Sequence, residues 1–198
     1  MSIAPNSDPL ALFEQWFQEA KAYAGIAEPT AMTLATVDDE GQPWPRVVLL
    51  KSYDRDGFVF YTNTHSQKGR HLSSNPRAGL CFHWMPLGKQ VRIVGLAHPV
   101  SRDEADEYFA SRPRGSQLGS WASIQSAPLS NRALLEQRME EYDKEFKGED
   151  VPRPPHWSGY RVVPHTIEFW LLAPNRLHHR RVYYRAAGGA WTQQMLYP

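Results

Sequence analysis

From Met32 to Leu196 the chain keeps returning to one texture: short β-prone runs closed by turn signals, with brief helical interludes. Runs this closely spaced pair as antiparallel neighbours, because a parallel crossover needs a dozen or more residues. Met32–Val37 ends at Asp38-Asp39-Glu40-Gly41, Trp44–Lys51 resumes the strand texture, Tyr53–Gly57 turns again, and Phe58–Thr62 follows. Further strands are predicted over about Ala78–Trp84, Gln90–His98, Gly159–Val163, Thr166–Leu171, Leu177–Arg185 and Trp191–Leu196. Strands and helices do not alternate in strict βαβ order, and no GxGxxG occurs, so a dinucleotide-binding Rossmann domain is disfavoured. The expectation is mainly β with α decoration, an antiparallel barrel.

Helical spacing appears in four places. Leu10, Leu12, Phe13, Trp16, Phe17 and Ala20 give an apolar face over about Pro9–Tyr23, with Ser7 or Asp8 as a cap. Ser66–Ser74 reads as a short polar helix stopped by Asn75-Pro76. Ser101 and Glu104 form a capping-box signature for a helix from Arg102 to about Ser111, ended by Pro113. A charged helix runs from about Asn131 to Phe146.

The 198 residues suit one domain, 1–198, and 41% apolar against 22% charged residues describes a globular chain. A formal net charge of +1 gives no global field to recruit nucleic acid. Phosphate binding, if present, has to come from local clusters. No apolar run approaches the ~20 residues of a membrane span. No secretory leader is evident, and the single cysteine, Cys81, sits in an apolar run as a small hydrophobe. A cytoplasmic, reducing location is expected.

The segment Tyr108–Ser126, YFASRPRGSQLGSWASIQS, holds two arginines, five serines and two glutamines and no acid. It reads as an ordered loop around an anionic, partly aromatic small molecule, since charge-assisted bonds to phosphate are short and strong. Tyr108 and Arg112, four apart, share a helical face, and Ser116 follows the helix end. A helix-end arginine meeting the C-terminal dipole is the plainer alternative.

Other clusters are individually ambiguous. Arg46 and Lys51 bracket Val47, Val48, Leu49 and Leu50. They either cap a core strand or grip phosphates while the backbone lies along a flat ligand. Five residues apart, they point to opposite faces of a regular strand. Tyr61-Thr62 ends a strand, and Gln67-Lys68 opens a helix whose N-terminus favours anions. Arg176, His178 and Arg180 alternate, so on a strand they share a face, with Leu177, His179 and Arg181 on the other. A charged edge strand explains that pattern equally well. His178 and His179 point apart on a strand, so no metal site is expected.

The order of these pieces is more specific than any one of them. RVVLLK, FYTN with S-x-K-G, QVRIVG, SRPRGSQLGSWASIQS, IEFW and RLHHR together resemble the pyridoxine/pyridoxamine 5′-phosphate oxidase family over roughly residues 8 to 198. The resemblance implies an FMN-binding split β-barrel and a homodimer with FMN at the interface. The C-terminal strands, about 159–198, would complete the active site. It implies oxidation of pyridoxine or pyridoxamine 5′-phosphate to pyridoxal 5′-phosphate by O2, giving H2O2, with hydride leaving the substrate for the flavin. A related oxidase of phenazine precursors and a non-catalytic flavin- or vitamer-binding protein are the alternatives.

By that resemblance Arg46, Val47, Val48, Leu49, Leu50, Lys51, Tyr61, Thr62, Gln67, Lys68, Gln90, Gln125, Ser126, Trp170 and Arg180 would form the FMN site. Lys51, Tyr108, Arg112, Ser116, Arg176, Leu177 and His178 would hold the substrate. Arg176 and His178 would be the catalytic pair. The chain departs from the family pattern at Gln67, where arginine is common, and at His179, where an acid is common. Its N-terminal segment is also short, so any lid from that region is expected to be reduced.

Overall fold

The computed structural model describes residue 3 and residues 8–198. Helix α1, Pro9–Ala22, opens on Asp8, whose carboxylate accepts the amide of Leu10 at 2.9 Å, with Pro9 in the first turn. Its apolar face is the one the spacing predicted. Leu12, Phe13, Trp16, Phe17 and Ala20 are all buried. Phe13 meets Phe17, Tyr53, Phe58, Phe82 and Trp84 with ring centroids 4.9 to 6.2 Å apart. The helix therefore plugs the main core.

The strands are β1 Ala31–Val37, β2 Pro43–Leu49, β3 Ser52–Asp54, β4 Gly57–Asn63, β5 Arg77–Trp84, β6 Lys89–Pro99, β7 Trp157–Leu171, β8 His179–Arg185 and β9 Trp191–Leu196. All pairings are antiparallel, in one sheet of order β2-β1-β5-β6-β7-β4-β3, with β8 added to β7 and β9 to β8. Burial alternates along β1 and β6, so one face packs on the core. The sheet curls into a split barrel.

Two expectations need correction. Residues 52–54 form a strand rather than only a turn. The Asp54 carboxylate takes the amides of Asp56 and Gly57, and this tight turn leaves Ser52–Asp54 free to pair with β4. The strands expected at 159–163 and 166–171 are one continuous strand, β7. Pro164 stands in the gap between the two expected strands, and the register shift between Val94 and Gly95 falls opposite it. A proline is tolerated where the ladder is already irregular. Gly95 allows that crossing, because a Cβ there would lie 2.1 Å from the Val163 carbonyl oxygen. The first half of β7 pairs with β4 and the second half with β8, so one strand serves two seams.

The helical decoration comprises α2 Gln67–Ser74, α3 Arg102–Ala110, α4 Arg114–Ala122 and α5 Arg132–Glu145. The α3 cap is the expected one, with Ser101 Oγ accepting the amide of Glu104 at 3.1 Å. A second apolar cluster of Phe109, Leu118, Phe146, Val151 and Trp157 seats α3–α5 on the sheet. The stretch read as a loop after Pro113 is mostly α4. Its four serines and two glycines mask helical spacing, and Pro113 begins the new helix instead of only ending the old one. Among the described residues no helix is long and apolar enough to cross a membrane.

Candidate active site

A cavity of about 580 Å³ opens where β2, β4, α2 and α4 converge. Arg46, Val47, Val48, Leu49 and Lys51 form one wall, and Tyr61, Thr62 and Lys68 another. Tyr108, Arg112, Ser116 and Gln125 come from the helical side. Twelve sequence-predicted site residues thus share one space.

The chain path explains how Arg46 and Lys51 reach the same cavity despite their spacing. Strand β2 ends at Leu49. The amide of Leu50 donates to Thr30 on the β1 side, whereas that of Lys51 donates to Val59 of β4. The backbone changes partners between these residues. Leu50 turns its side chain into the core, at 3% exposure, and Lys51 turns to the cavity.

The cavity is rich in uncompensated positive charge. Among the described residues, none of Arg46, Lys51, Lys68 and Arg112 is in an ion pair with a carboxylate. Arg46 instead donates to the Leu34 carbonyl at 3.3 Å and the Thr36 hydroxyl at 2.6 Å. Lys68 Nζ donates to Thr62 Oγ1 and Gln125 Oε1, both at 3.3 Å. Burial and the charge of Arg46 hold the Lys68 ammonium below the ordinary lysine range. Burial likewise lowers Arg46 and Arg112. Desolvated cations without acids are stabilised by a bound anion, which supplies the missing charge in a low dielectric.

Aromatic rings stiffen the opposite side. Tyr61 stacks on Tyr108 at 4.1 Å and on Trp157 at 5.1 Å. Burial, with Glu104 and Tyr108 nearby, pushes the Tyr61 phenol up to about 12. The Arg112 guanidinium lies 4.7 Å over Trp157.

The remaining predicted residues lie elsewhere. Gln67 and Ser126 flank the cavity without lining it, the Gln67 amide donating to Ser126 Oγ at 3.2 Å. Gln90, Trp170 and Arg180 sit side by side across β6, β7 and β8. His178 packs on Trp170 at 4.5 Å, and its Nδ1 accepts the Ala173 amide at 3.2 Å. Glu168, at 5% exposure, binds both Arg180, at 2.8 Å, and Arg92. Arg176 and Leu177 are exposed.

The shared strand face of Arg176, His178 and Arg180 is not observed. Strand β8 starts at His179, and Arg176 closes a 3₁₀ turn, Pro174–Arg176. Pro174 sets that turn, and both Asn175 and Arg176 have positive φ, 56° and 62°. The third non-glycine residue with positive φ among those described is Ser126, at 72°. Backbone held in this region costs energy and clusters at functional sites.

Sequence reasoning missed Asn63, Pro113, Gly119, Ser120, Ser123 and Trp157 as lining residues. The spacing of Ser116, Gly119, Ser120 and Ser123 was the available signal. It is one face of a helix, legible only once α4 is taken as helical.

A curled antiparallel sheet with this cation-lined cleft defines a split β-barrel protein with an anion-binding site. The family model for pyridoxamine 5′-phosphate oxidase matches residues 18–145, and that for the pyridoxine 5′-phosphate oxidase C-terminal dimerisation region matches residues 157–198. The pyridoxine/pyridoxamine 5′-phosphate oxidase of Myxococcus xanthus is 54% identical over 191 residues, covering 96% of this chain and 92% of that protein. That of Caulobacter vibrioides is 55% identical over 196 residues, covering 99% and 87%. The solved structure of PhzG from Burkholderia lata, in complex with tetrahydrophenazine-1-carboxylic acid, superposes with a TM-score of 0.91 at 36% identity, covering 98% and 94%. The chain belongs to the pyridoxine/pyridoxamine 5′-phosphate oxidase family, and it is an oxidoreductase.

Proposed function

We propose that the protein binds FMN and oxidises pyridoxine 5′-phosphate or pyridoxamine 5′-phosphate to pyridoxal 5′-phosphate, with O2 as acceptor and H2O2 as product. The amine substrate also takes up water and releases ammonia. The observation that carries this reading is the set of four cavity cations that form no ion pair with a carboxylate among the described residues. Two of them, Arg46 and Lys68, suit the FMN phosphate. Lys51 and Arg112, with Tyr108 and Ser116, suit the phosphate of the substrate. The cavity volume falls in the range of small-ligand sites, about 300–1,000 Å³.

FMN fits this donor set, since the Val47–Leu49 wall is apolar and stands beside two half-buried cations. Bound flavin supplies the two-electron acceptor chemistry, and the protein supplies orientation. Arg176 and His178 close over the pyridine ring. His178 has Nδ1 engaged as an acceptor, so a neutral ring carries its proton on Nε2. It is the residue suited to assist a proton transfer. Arg176 aligns the ring, a positioning effect.

Completion of this site calls for a second subunit. Arg46 and Lys68 line the cavity, whereas Gln90, Trp170, Arg176, His178 and Arg180 of the same subunit lie outside its lining. In a twofold dimer the C-terminal cluster of one subunit meets the cavity of the other, and two equivalent sites form. The match to a dimerisation region supports this arrangement.

The likeness to PhzG favours one second reading, oxidation of a phenazine precursor. A tricyclic acid offers a single carboxylate, and Lys51, Tyr108, Arg112 and Ser116 together present more donors than it can satisfy, so the phosphorylated vitamer is preferred. Steady-state oxygen consumption and peroxide release, with FMN supplied and each phosphorylated vitamer in turn, test the assignment. Turnover of neither vitamer by a yellow, FMN-loaded protein defeats it.

A further inference from the structure

Arg112 lacks the device that usually fixes a half-buried arginine. Among the described residues it has no carboxylate partner, and its only side-chain hydrogen bond runs from Nη1 to Ser120 Oγ at 2.8 Å. Its guanidinium carbon lies over two aromatic faces, Trp157 at 4.7 Å and Phe109 at 5.4 Å. Such contacts hold the group near the rings but leave its N–H directions free. Ser120 removes that freedom.

The Ser120 hydroxyl is itself oriented. It donates back to the Ser116 carbonyl, one turn earlier in α4, at 3.0 Å. That bond uses its hydrogen and presents its lone pairs to Arg112. The helix is anchored in turn, since His156 Nε2 lies 3.0 Å from the Ser120 carbonyl oxygen, and Gln117 donates to the Phe109 carbonyl at 3.0 Å. Ser120 also lines the cavity beside Ser116.

We infer that Ser120 is a positioning residue for substrate phosphate, holding Arg112 so that its remaining N–H donors converge with Ser116 on one anion. The inference rests on the proposed role of Arg112 in binding that phosphate. Ser120 offers no charge of its own. Its contribution is the rotational order it imposes on a cation that is otherwise held, among the described residues, only by aromatic faces.

The test uses FMN-loaded enzyme with wild type, Ser120→Ala, Arg112→Ala and the double variant. Alanine is a stronger helix former than serine, so α4 persists, and an unchanged melting temperature verifies this. Ser120→Ala is expected to raise KM for pyridoxine 5′-phosphate about tenfold, the size of one lost hydrogen bond to a charged group. The inhibition constant of inorganic phosphate rises by a similar factor, while kcat changes less than about twofold, as for loss of binding common to ground and transition states. In the Arg112→Ala background the serine substitution has no further effect, because it acts through the arginine.

Unchanged KM and phosphate inhibition in Ser120→Ala would overturn the inference while leaving the function intact, provided Arg112→Ala impairs both. Full additivity in the double variant also overturns it. If Arg112→Ala itself leaves both constants unchanged, the substrate-phosphate assignment fails and this inference falls with it.

Discussion

Thr36 of β1 and Arg46 of β2 are joined by a 2.6 Å hydrogen bond, and the threonine has no solvent exposure at all. The same hydroxyl lies 3.1 Å from His71 Nδ1 on α2. With that nitrogen unprotonated, the single hydroxyl hydrogen goes to His71 and the lone pairs receive Arg46. A buried threonine therefore ties the wall that carries Arg46 to the helix that carries Lys68. Thr36→Val keeps the branched shape and removes the hydroxyl. We expect FMN affinity to fall about tenfold, the value of a charge-assisted bond. Flavin fluorescence titrated with apoprotein reads this directly, and an unaltered Kd would remove the tether from the account of Arg46.

Arg176 is held at φ 62°, where a side chain is strained and glycine is not. Arg176→Gly relieves about 1 kcal/mol of strain, offset by a similar gain of freedom in the unfolded chain. The melting temperature is expected to stay nearly constant. Turnover is expected to drop by more than about tenfold, with FMN still bound, because the aligning group has gone. Wild-type kcat in this variant would show that the turn is merely a turn.

Glu168 offers a test in acid. Burial opposes ionisation of its carboxyl, but hydrogen bonds from Arg180 and Arg92, together with their charges, outweigh burial and hold it below the ordinary 4.5. The native state then binds fewer protons than the unfolded state, so this contribution is intact above pH 4.5. It is lost as pH falls through the depressed folded value. Glu168→Gln should cost about 2–3 kcal/mol near neutrality, since two arginines lose their counter-charge. It should also flatten the fall in stability below pH 4.5. Urea titrations across that range compare the two slopes, and parallel curves would argue against the carboxylate.

The elements whose signal is local were legible in the sequence. Helix α1 shows its buried face as a 3.6-residue period, and β1, β4, β5 and β6 show runs bounded by turns. What escaped depends on distant partners. Residues 52–54 are a strand only because β4 pairs with them, and β7 runs through Pro164 only because β6 bulges opposite. The composition of α4 concealed its period. The cavity residues from Arg46 to Gln125 stand in the sequence as separate, ambiguous clusters that only the family resemblance joins into one site, and spacing alone sets Arg46 and Lys51 on opposite faces. The change of pairing partner between Leu50 and Lys51 is a tertiary event with no local signature.

The twofold duty of β7 also bears on how the molecule assembles itself. Phe58 finds its partner in Val162, about a hundred residues further along, so the largest loop-closure cost comes late. While it emerges from the ribosome, the chain can join β1, β2, β5 and β6, and β3 with β4, but has no strand to join the two groups. Until β7 arrives, β4 and β6 both expose open edges, and a chaperone that shields such edges is best placed to act in that interval.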